Sequence, residues 1–376
     1  MKKYVVLFVL MFLPFFVNAE LAVNAKSAIM IEESTGKVLF ENNADEKRAP
    51  ASMTKVMTLL LIMEQIESGK IKYSDKVLIS ENASSMGGSQ VFLEAGSEMT
   101  VEELIKAICI ASGNDAAVAM AEYIGGSEEN FVKMMNTKAK ELGMLNTNYV
   151  NPHGLDSENH YTSARDMAIV ARELVKHKKI LEYSSTYEEY LKKPDGTSTW
   201  MVNTNKLIRY YSGLDGLKTG FTETAGYCLT ATASKNNMRL ITVLMGEETS
   251  EIRNKETVEL LNYGFANYTK KLILDKGNNL GEIELFKGKK ELLKIETEVD
   301  LTDIISNTEE SKYHYEVKVD SIEAPIKKGE IVGKVFLYKD NKKISEYNVV
   351  ASEDVKKANY FDYYIRNLKS LISGNI

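Results

Sequence analysis

The sequence predicts an α+β chain, with one mixed domain, a small all-β domain after it and an amphipathic helix at the end. Three observations predict this. The run Val56, Met57, Leu59, Leu60, Leu61, Ile62, Met63 is apolar on every face, which describes a helix buried in a core. Tyr227–Ala233 and Arg239–Met245 alternate like paired strands joined at Lys235-Asn236-Asn237. Residues 277–350 break into short runs such as Ile283–Leu285, Tyr313–Val319 and Ile331–Tyr338, separated by Lys, Gly, Asn and Asp.

Length and composition set the bounds. The chain has 376 residues, enough for two domains, and 44% hydrophobic with 27% charged residues describes an ordinary folded protein. A net charge of −6 makes nucleic acid an unpromising partner. The four histidines have no metal-ligand spacing, so no metal is expected. Cys109 and Cys228 both lie between apolar neighbours and are expected to be free, buried thiols. Residues 1–19 carry only Lys2 and Lys3 as charges, then an apolar stretch from Val5 to Val17, then Val17-Asn18-Ala19. That is the pattern of a signal peptide cut before Glu20, so an exported chain is expected.

The elements follow in order. Ala28–Ile31 and Val38–Phe40 read as a hairpin closed by Glu33-Ser34-Thr35-Gly36. The buried helix starts near Ser52. Gln90–Leu93 is extended after a turn at Met86–Ser89. Thr100-Val101-Glu102-Glu103 is a capping box opening a helix that runs to Ala111. Gly113 interrupts it, and a second helix follows through Ile124. Phe131–Leu142 is an amphipathic helix and Ser163–His177 is helical again, with a loop at Asn151–Asp156 between them. Tyr183–Thr199 is polar, with weak strand character. Ile252–Leu272 is expected as one helix packing back on the sheet, and Lys339–Lys342 as a hairpin turn.

Three short motifs carry chemistry. Ser52 precedes Lys55 by three residues, one turn along the same helical face. A serine needs an adjacent base to become a nucleophile, and a lysine can serve if burial lowers its pKa. Ser34-Thr35-Gly36-Lys37 has the same spacing, but its flanks make it a hairpin loop with no helical face. Ser112-Gly113-Asn114 stands at a corner between two apolar helices, where a hydroxyl and an amide could face a cleft. The same triplet spacing at Ser80, Ser157 and Ser373 lacks that setting. Lys218-Thr219-Gly220 lies on or beside a strand, and Gly220 leaves room for close backbone approach. His153 is read as a structural hydrogen-bonding residue.

In the order Ser-x-x-Lys, Ser-x-Asn, Lys-Thr-Gly, the three motifs resemble the signature of active-site-serine penicillin-recognising enzymes. From about Ala28 to Tyr268 the chain is similar to low-molecular-mass penicillin-binding proteins that are D-alanyl-D-alanine carboxypeptidases. The carrying residues are Pro50-Ala51-Ser52, Ala111–Ala116, His153-Gly154-Leu155 and Asp215–Gly220. The resemblance implies a β-lactamase/transpeptidase-like domain, an antiparallel sheet flanked by helices, over residues 20–275. An all-β domain (276–352) and a membrane-associating helix (353–376) would follow. It implies Ser52 as nucleophile, Lys55 as base and Ser112 as proton relay. Asn114, Lys218, Thr219, the Phe221 backbone and Arg253 would bind substrate, a peptidoglycan stem peptide ending in D-Ala-D-Ala. β-lactams would acylate Ser52, and no cofactor is needed. Some relatives place a carboxylate-binding arginine near Asn203-Thr204-Asn205; here that place falls to Thr204. D,D-transpeptidase, endopeptidase and β-lactamase activity remain alternatives on the same fold. For the last, the nearest candidate for a Glu-x-x-x-Asn loop, Glu141 to Asn146, is one residue too long.

The tail sets Tyr360, Phe361, Tyr364, Ile365, Leu368, Leu371 and Ile372 at helical spacing on one face. Lys356, Lys357, Arg366 and Lys369 stand there against Asp362 alone. Such a helix suits an anionic bilayer surface, which would place the exported chain at the outer face of the cytoplasmic membrane.

Overall fold

The computed structural model describes residues 23–373, so the expected signal peptide lies outside the described residues. The chain opens with the hairpin β1 (Ser27–Glu32) and β2 (Val38–Asn42). A 3-10 turn, Ala51–Thr54, leads directly into α1 (Lys55–Glu67). A mainly helical stretch follows: β3 (Lys76–Leu78), α2 (Glu81–Ser84), β4 (Glu98–Thr100), α3 (Val101–Lys106), α4 (Asn114–Gly125), α5 (Glu128–Glu141), α6 (Ala164–Leu174) and α7 (Lys179–Ser184). The chain then makes the hairpin β5 (Glu188–Lys192) and β6 (Ser198–Val202), the short α8 (Leu207–Tyr210), and three long strands. These are β7 (Leu214–Thr222), β8 (Gly226–Lys235) and β9 (Met238–Glu247), followed by α9 (Ser250–Asn267).

The central sheet runs β2-β1-β9-β8-β7, antiparallel at each pairing, with β7 at one edge. Its long strands are buried on both faces. On one face lie α6 and the helical layer built around α1, which shares the main core with α3, α4 and α5. On the other lies α9, where Leu261 joins Met30, Leu229 and Leu240. Helix starts match their sequence signals. The capping box at Thr100 and Glu103 forms in both directions, and Ser163 accepts from the Asp166 N–H. The β8–β9 turn uses Asn236 and Asn237 with φ of 50° and 61°, as a two-residue hairpin requires.

One expected element is corrected. The helix predicted over Ile252–Leu272 stops at Asn267, and Tyr268–Leu274 is a strand, β10. Its aromatic and β-branched residues take the extended form because a partner exists far along the chain, β13 (Leu301–Ser306). The remaining strands are β11 (Asn279–Phe286), β12 (Leu292–Thr297), β14 (Tyr313–Val319), β15 (Ile322–Glu323), β16 (Ile331–Lys339) and β17 (Lys342–Ala351). They form a six-stranded sheet in the order β14-β16-β17-β12-β11-β15 over its own apolar core. The β10–β13 ribbon is the bridge to the first unit. Ile304 packs into the core under α9, and its carbonyl accepts from Lys37 Nζ at 2.5 Å.

The tail forms α10 (Tyr360–Ser373) with Tyr360, Phe361 and Tyr364 exposed. Arg366, expected on a free basic rim, instead pairs with Glu291 at 2.7 Å and donates to the Gly288 carbonyl. The helix is thus tied to the all-β unit on that side. Among the described residues no helix is long and apolar enough to cross a membrane.

Candidate active site

The three sequence motifs meet at one end of the sheet. They line or underlie a cleft of about 380 Å³ walled by Ser52, Ser89, Ser112, Thr204, Lys206, Thr219, Gly220, Phe221, Tyr227, Ser250, Arg253 and Asn254. Ser52 sits in the 3-10 turn just ahead of α1, and Lys55 opens the helix proper. Strand β7 lies against this turn because Gly220 has no side chain. A Cβ there would meet the Pro50 carbonyl oxygen at 2.9 Å and the Ala51 Cβ at 3.1 Å. Gly154 presses on the same turn from the opposite loop, and a Cβ there would stand 1.9 Å from the Ala51 oxygen.

Lys55 is fully buried, and its Nζ has three neighbours: Asn114 Oδ1 at 2.6 Å, the His153 carbonyl at 2.7 Å and Ser52 Oγ at 3.0 Å. None is a carboxylate. Burial first, then the positive charge of Lys218, holds its pKa well below the ordinary lysine value, against a smaller opposing pull from Asp115. A neutral amine has two hydrogens and one lone pair. Asn114 Oδ1 and the His153 carbonyl can only accept, so they take both hydrogens. The lone pair then faces the Ser52 hydroxyl, which is the arrangement a general base needs.

Lys218 is the second buried amine. Its Nζ donates to the Thr219 carbonyl at 3.0 Å, and burial brings its pKa down to about 7. Thr219 Oγ1 donates to Thr204 Oγ1 at 2.7 Å, so the position where an arginine was missing joins the cleft wall through a hydroxyl pair. Arg253, on α9, is buried at the cleft edge, held by Asn254 Oδ1 at 2.9 Å, and its pKa is lowered mainly by burial. It is a fixed cation facing a polar pocket. The Phe221 and Tyr227 rings pack at a tilt of 32° with centres 4.3 Å apart.

Ser112 follows one turn of π-helix, Ala107–Ala111, and adopts a left-handed conformation with φ 63° and ψ 29°. Both features recur at functional sites, where surrounding structure maintains a local cost. Its Oγ is buried, lines the cleft and has no hydrogen-bond partner. Asn114 is more committed than the sequence suggested. Besides accepting from Lys55, it donates through Nδ2 to the Gly87 carbonyl at 2.7 Å. Its amide oxygen thus holds Lys55 Nζ, and one amide hydrogen is left for anything else.

Other readings resolve simply. Ser34 donates to Glu32 and Lys37 reaches Ile304, so the second Ser-x-x-Lys is a loop tied to other contacts. His153 acts through its backbone carbonyl, while its ring Nδ1 accepts from the Leu155 N–H. Cys109 and Cys228 are free and buried, and burial pushes their thiols up to about 12 and about 11. Glu141 pairs with Lys138 at the end of α5 and does not line the cleft. Sequence reasoning missed Ser89, Lys206, Tyr227, Ser250 and Asn254. Each is a common polar or aromatic residue whose neighbours give no local signal.

Comparison with known proteins agrees with this geometry. The D-alanyl-D-alanine carboxypeptidase family model matches residues 15–249, and the penicillin-binding protein 5 C-terminal domain model matches 268–357. The chain is 49% identical over 353 residues to the D-alanyl-D-alanine carboxypeptidase DacF of Bacillus subtilis, covering 93% of this chain and 91% of that one. It is 35% identical over 356 residues to DacA of Escherichia coli, covering 92% and 87%. The crystal structure of penicillin binding protein 5 from Haemophilus influenzae superposes with a TM-score of 0.74 at 34% identity, covering 89% of this chain and 98% of that one. With its serine, two buried lysines and second serine assembled at one sheet edge, the chain belongs to the D-alanyl-D-alanine carboxypeptidase family of serine peptidases.

Proposed function

We propose that Ser52 is the nucleophile that removes the terminal D-alanine from peptidoglycan stem peptides, through an acyl-enzyme. The observation that carries this reading is the buried Lys55 Nζ standing 3.0 Å from Ser52 Oγ with the Asn114 Oδ1 and His153 carbonyl acceptors as its two other neighbours, so that a neutral amine would turn its lone pair to the hydroxyl. Ser52 Oγ attacks the carbonyl between the two D-alanines, and its proton passes to Lys55 Nζ. The C–N bond then breaks, and the leaving amine takes a proton relayed through Ser112, whose hydroxyl is free to turn. Water attacks the resulting ester and regenerates Ser52. The backbone N–H groups of Ser52 and Phe221 serve the developing oxyanion, one from the 3-10 turn and one from β7. Thr219, Thr204 and Arg253, with Lys218 behind them, suit the substrate's terminal carboxylate. Penicillin would form the same ester at Ser52 and stay.

We further propose that the chain is exported and that α10 rests on a membrane surface. Support comes from the exposed Tyr360, Phe361 and Tyr364. Arg366 contributes little to membrane charge, because Glu291 neutralises it.

The test is intact mass after adding penicillin to purified residues 20–376. One adduct on the Ser52 peptide is expected, and Ser52→Ala should lose both the adduct and D-alanine release while melting normally. An adduct elsewhere, or release by Ser52→Ala, would overturn the assignment.

A further inference from the structure

Outside the cleft, the surface that calls for explanation is the β5–β6 hairpin. Its inner face is ordinary: Leu191 and Met201 are buried in the main core. Its outer face sets Tyr190 directly opposite Trp200 in the strand register. Trp200 is the chain's single tryptophan, yet it is 58% exposed, and Tyr190 is 65% exposed. Glu188, Lys192 and Ser198 stand exposed around this pair. Two large rings side by side on a solvent face are a contact surface by composition, since aromatic side chains carry interface energy at low entropy cost.

The hairpin is tied to the cleft wall. Thr199 Oγ1 donates to the Val91 carbonyl at 3.2 Å, and Lys193 Nζ to the Phe92 carbonyl at 2.8 Å. The segment it grips begins at Ser89, which lines the cleft. That segment is itself clamped: the buried Asp115 carboxylate accepts from the Val91 and Leu93 N–H groups. Between them Phe92 is held left-handed at φ 60°, with its ring 64% exposed. A bulky residue in that conformation is costly and persists only where its surroundings impose it. Buried charge is thus used to hold a third aromatic ring outward, beside the hairpin that carries the other two.

We propose that Tyr190 and Trp200 form a platform for the sugar rings of the glycan strand that carries the stem peptide. This rests on the function proposed above. A pyranose ring presents a C–H face that stacks on an aromatic plane, and its hydroxyls would reach Glu188, Lys192 and Ser198. The platform adjoins the cleft wall, because Ser89 lines the cleft and Val91, two residues on, accepts from Thr199 beside Trp200. Four extended residues of a stem peptide span only about 13 Å, so the glycan strand that carries a bound peptide passes close to the cleft rim.

Trp200 is its own reporter, because no other tryptophan contributes fluorescence. The mature chain is titrated with an N-acetylglucosamine hexasaccharide, and separately with glycan strands stripped of peptide. A saturable change in emission is expected, weakened about tenfold or more in Tyr190→Ala and little changed in Tyr190→Phe. On glycan-linked pentapeptide, Tyr190→Ala and Trp200→Ala should raise KM several-fold. Penicillin acylation and D-alanine release from a soluble D-Ala-D-Ala tripeptide should match the unsubstituted chain. No emission change with either sugar would overturn the platform. So would equal loss on both substrates, which marks a hairpin stabiliser, or self-association abolished by Tyr190→Ala, which marks a contact between copies. Inactivity of the unsubstituted chain on the tripeptide would instead overturn the function proposed for Ser52.

Discussion

Gly154→Ala tests how the site is held together without touching a catalytic side chain. Gly154 has φ 92°, a region that alanine enters at a cost of roughly 1–2 kcal/mol. The larger effect is steric. The new Cβ would lie 1.9 Å from the Ala51 oxygen, 2.4 Å from the Ala51 carbon and 2.8 Å from Thr54 Oγ1. Two of these are backbone atoms and cannot rotate away, so the loop must retreat by about 1.5 Å to reach an ordinary contact, at an overpacking cost of about 1–3 kcal/mol. Retreat carries the neighbouring His153 carbonyl with it, and that carbonyl holds Lys55 Nζ at 2.7 Å. A displacement of this size costs about 100-fold in a positioned reaction. The expected result is penicillin acylation slowed about 100-fold, with an unfolding free energy lower by about 2–5 kcal/mol. Gly69→Ala is the control: its φ is 73° but nothing lies within 4 Å, so it should cost only the backbone term and leave acylation unchanged. The assays are stopped-flow acylation with a fluorescent penicillin and urea unfolding. Native acylation by Gly154→Ala would refute the claim that the His153 loop positions the base.

Other predictions follow from the same geometry. Ser112→Ala removes a hydroxyl that makes no hydrogen bond, so urea midpoints should hardly move while D-alanine release falls about 100- to 10,000-fold; normal turnover would remove Ser112 from the mechanism. Acylation should rise with pH and level off well below the ordinary lysine pKa of 10.5, because only neutral Lys55 accepts a proton; a rise that waits for the ordinary value would place the base elsewhere. Lys218 has a folded pKa of about 7 against an ordinary 10.5, so the unfolded chain binds more protons between those values and folding stability gains with pH across that window. Lys218→Gln should flatten that slope in urea titrations at pH 7 to 10, and an identical slope in both proteins would contradict it. Removing residues after Asp354 should abolish sedimentation with anionic liposomes and spare D-alanine release; equal sedimentation of both forms would reject the membrane reading of α10.

Much of this was legible in the sequence because the informative residues announce themselves locally. The apolar run after Ser52 marks a buried helix by composition alone, and Lys55 inherits its burial. Thr100 and Glu103 cap their own helix, and Asn236-Asn237 turn their own hairpin. What stayed hidden depends on partners far along the chain. Tyr268–Leu274 became a strand only because Leu301–Ser306 lies beside it, which no window over residues 252–272 contains. Ser112 reads as a helix-corner serine; its left-handed backbone and unpartnered hydroxyl come from the π turn before it and the packing around it. Asn114 reads as a ligand for substrate and is found holding Lys55, because Gly87 from a loop and Lys55 from the start of α1 converge on it.

The two lysines show why the folded whole must come before any assignment of roles. Each is long, flexible and ordinarily charged, and either sequence motif alone would suit a surface ion pair. Burying both without a carboxylate against either amine reverses that expectation, since each neighbouring positive charge then adds to the desolvation that already disfavours protonation. The fold separates them by partner. Lys55 meets two pure acceptors and a hydroxyl, so it can lose a proton and still satisfy every contact. Lys218 meets the Thr219 carbonyl and stands behind the pocket lined by Thr219 and Arg253, the pocket proposed for the substrate's negative end. On the proposed mechanism, a carboxylate bound in that pocket would favour the charged form of Lys218 more than that of Lys55, which would stay neutral to accept the Ser52 proton.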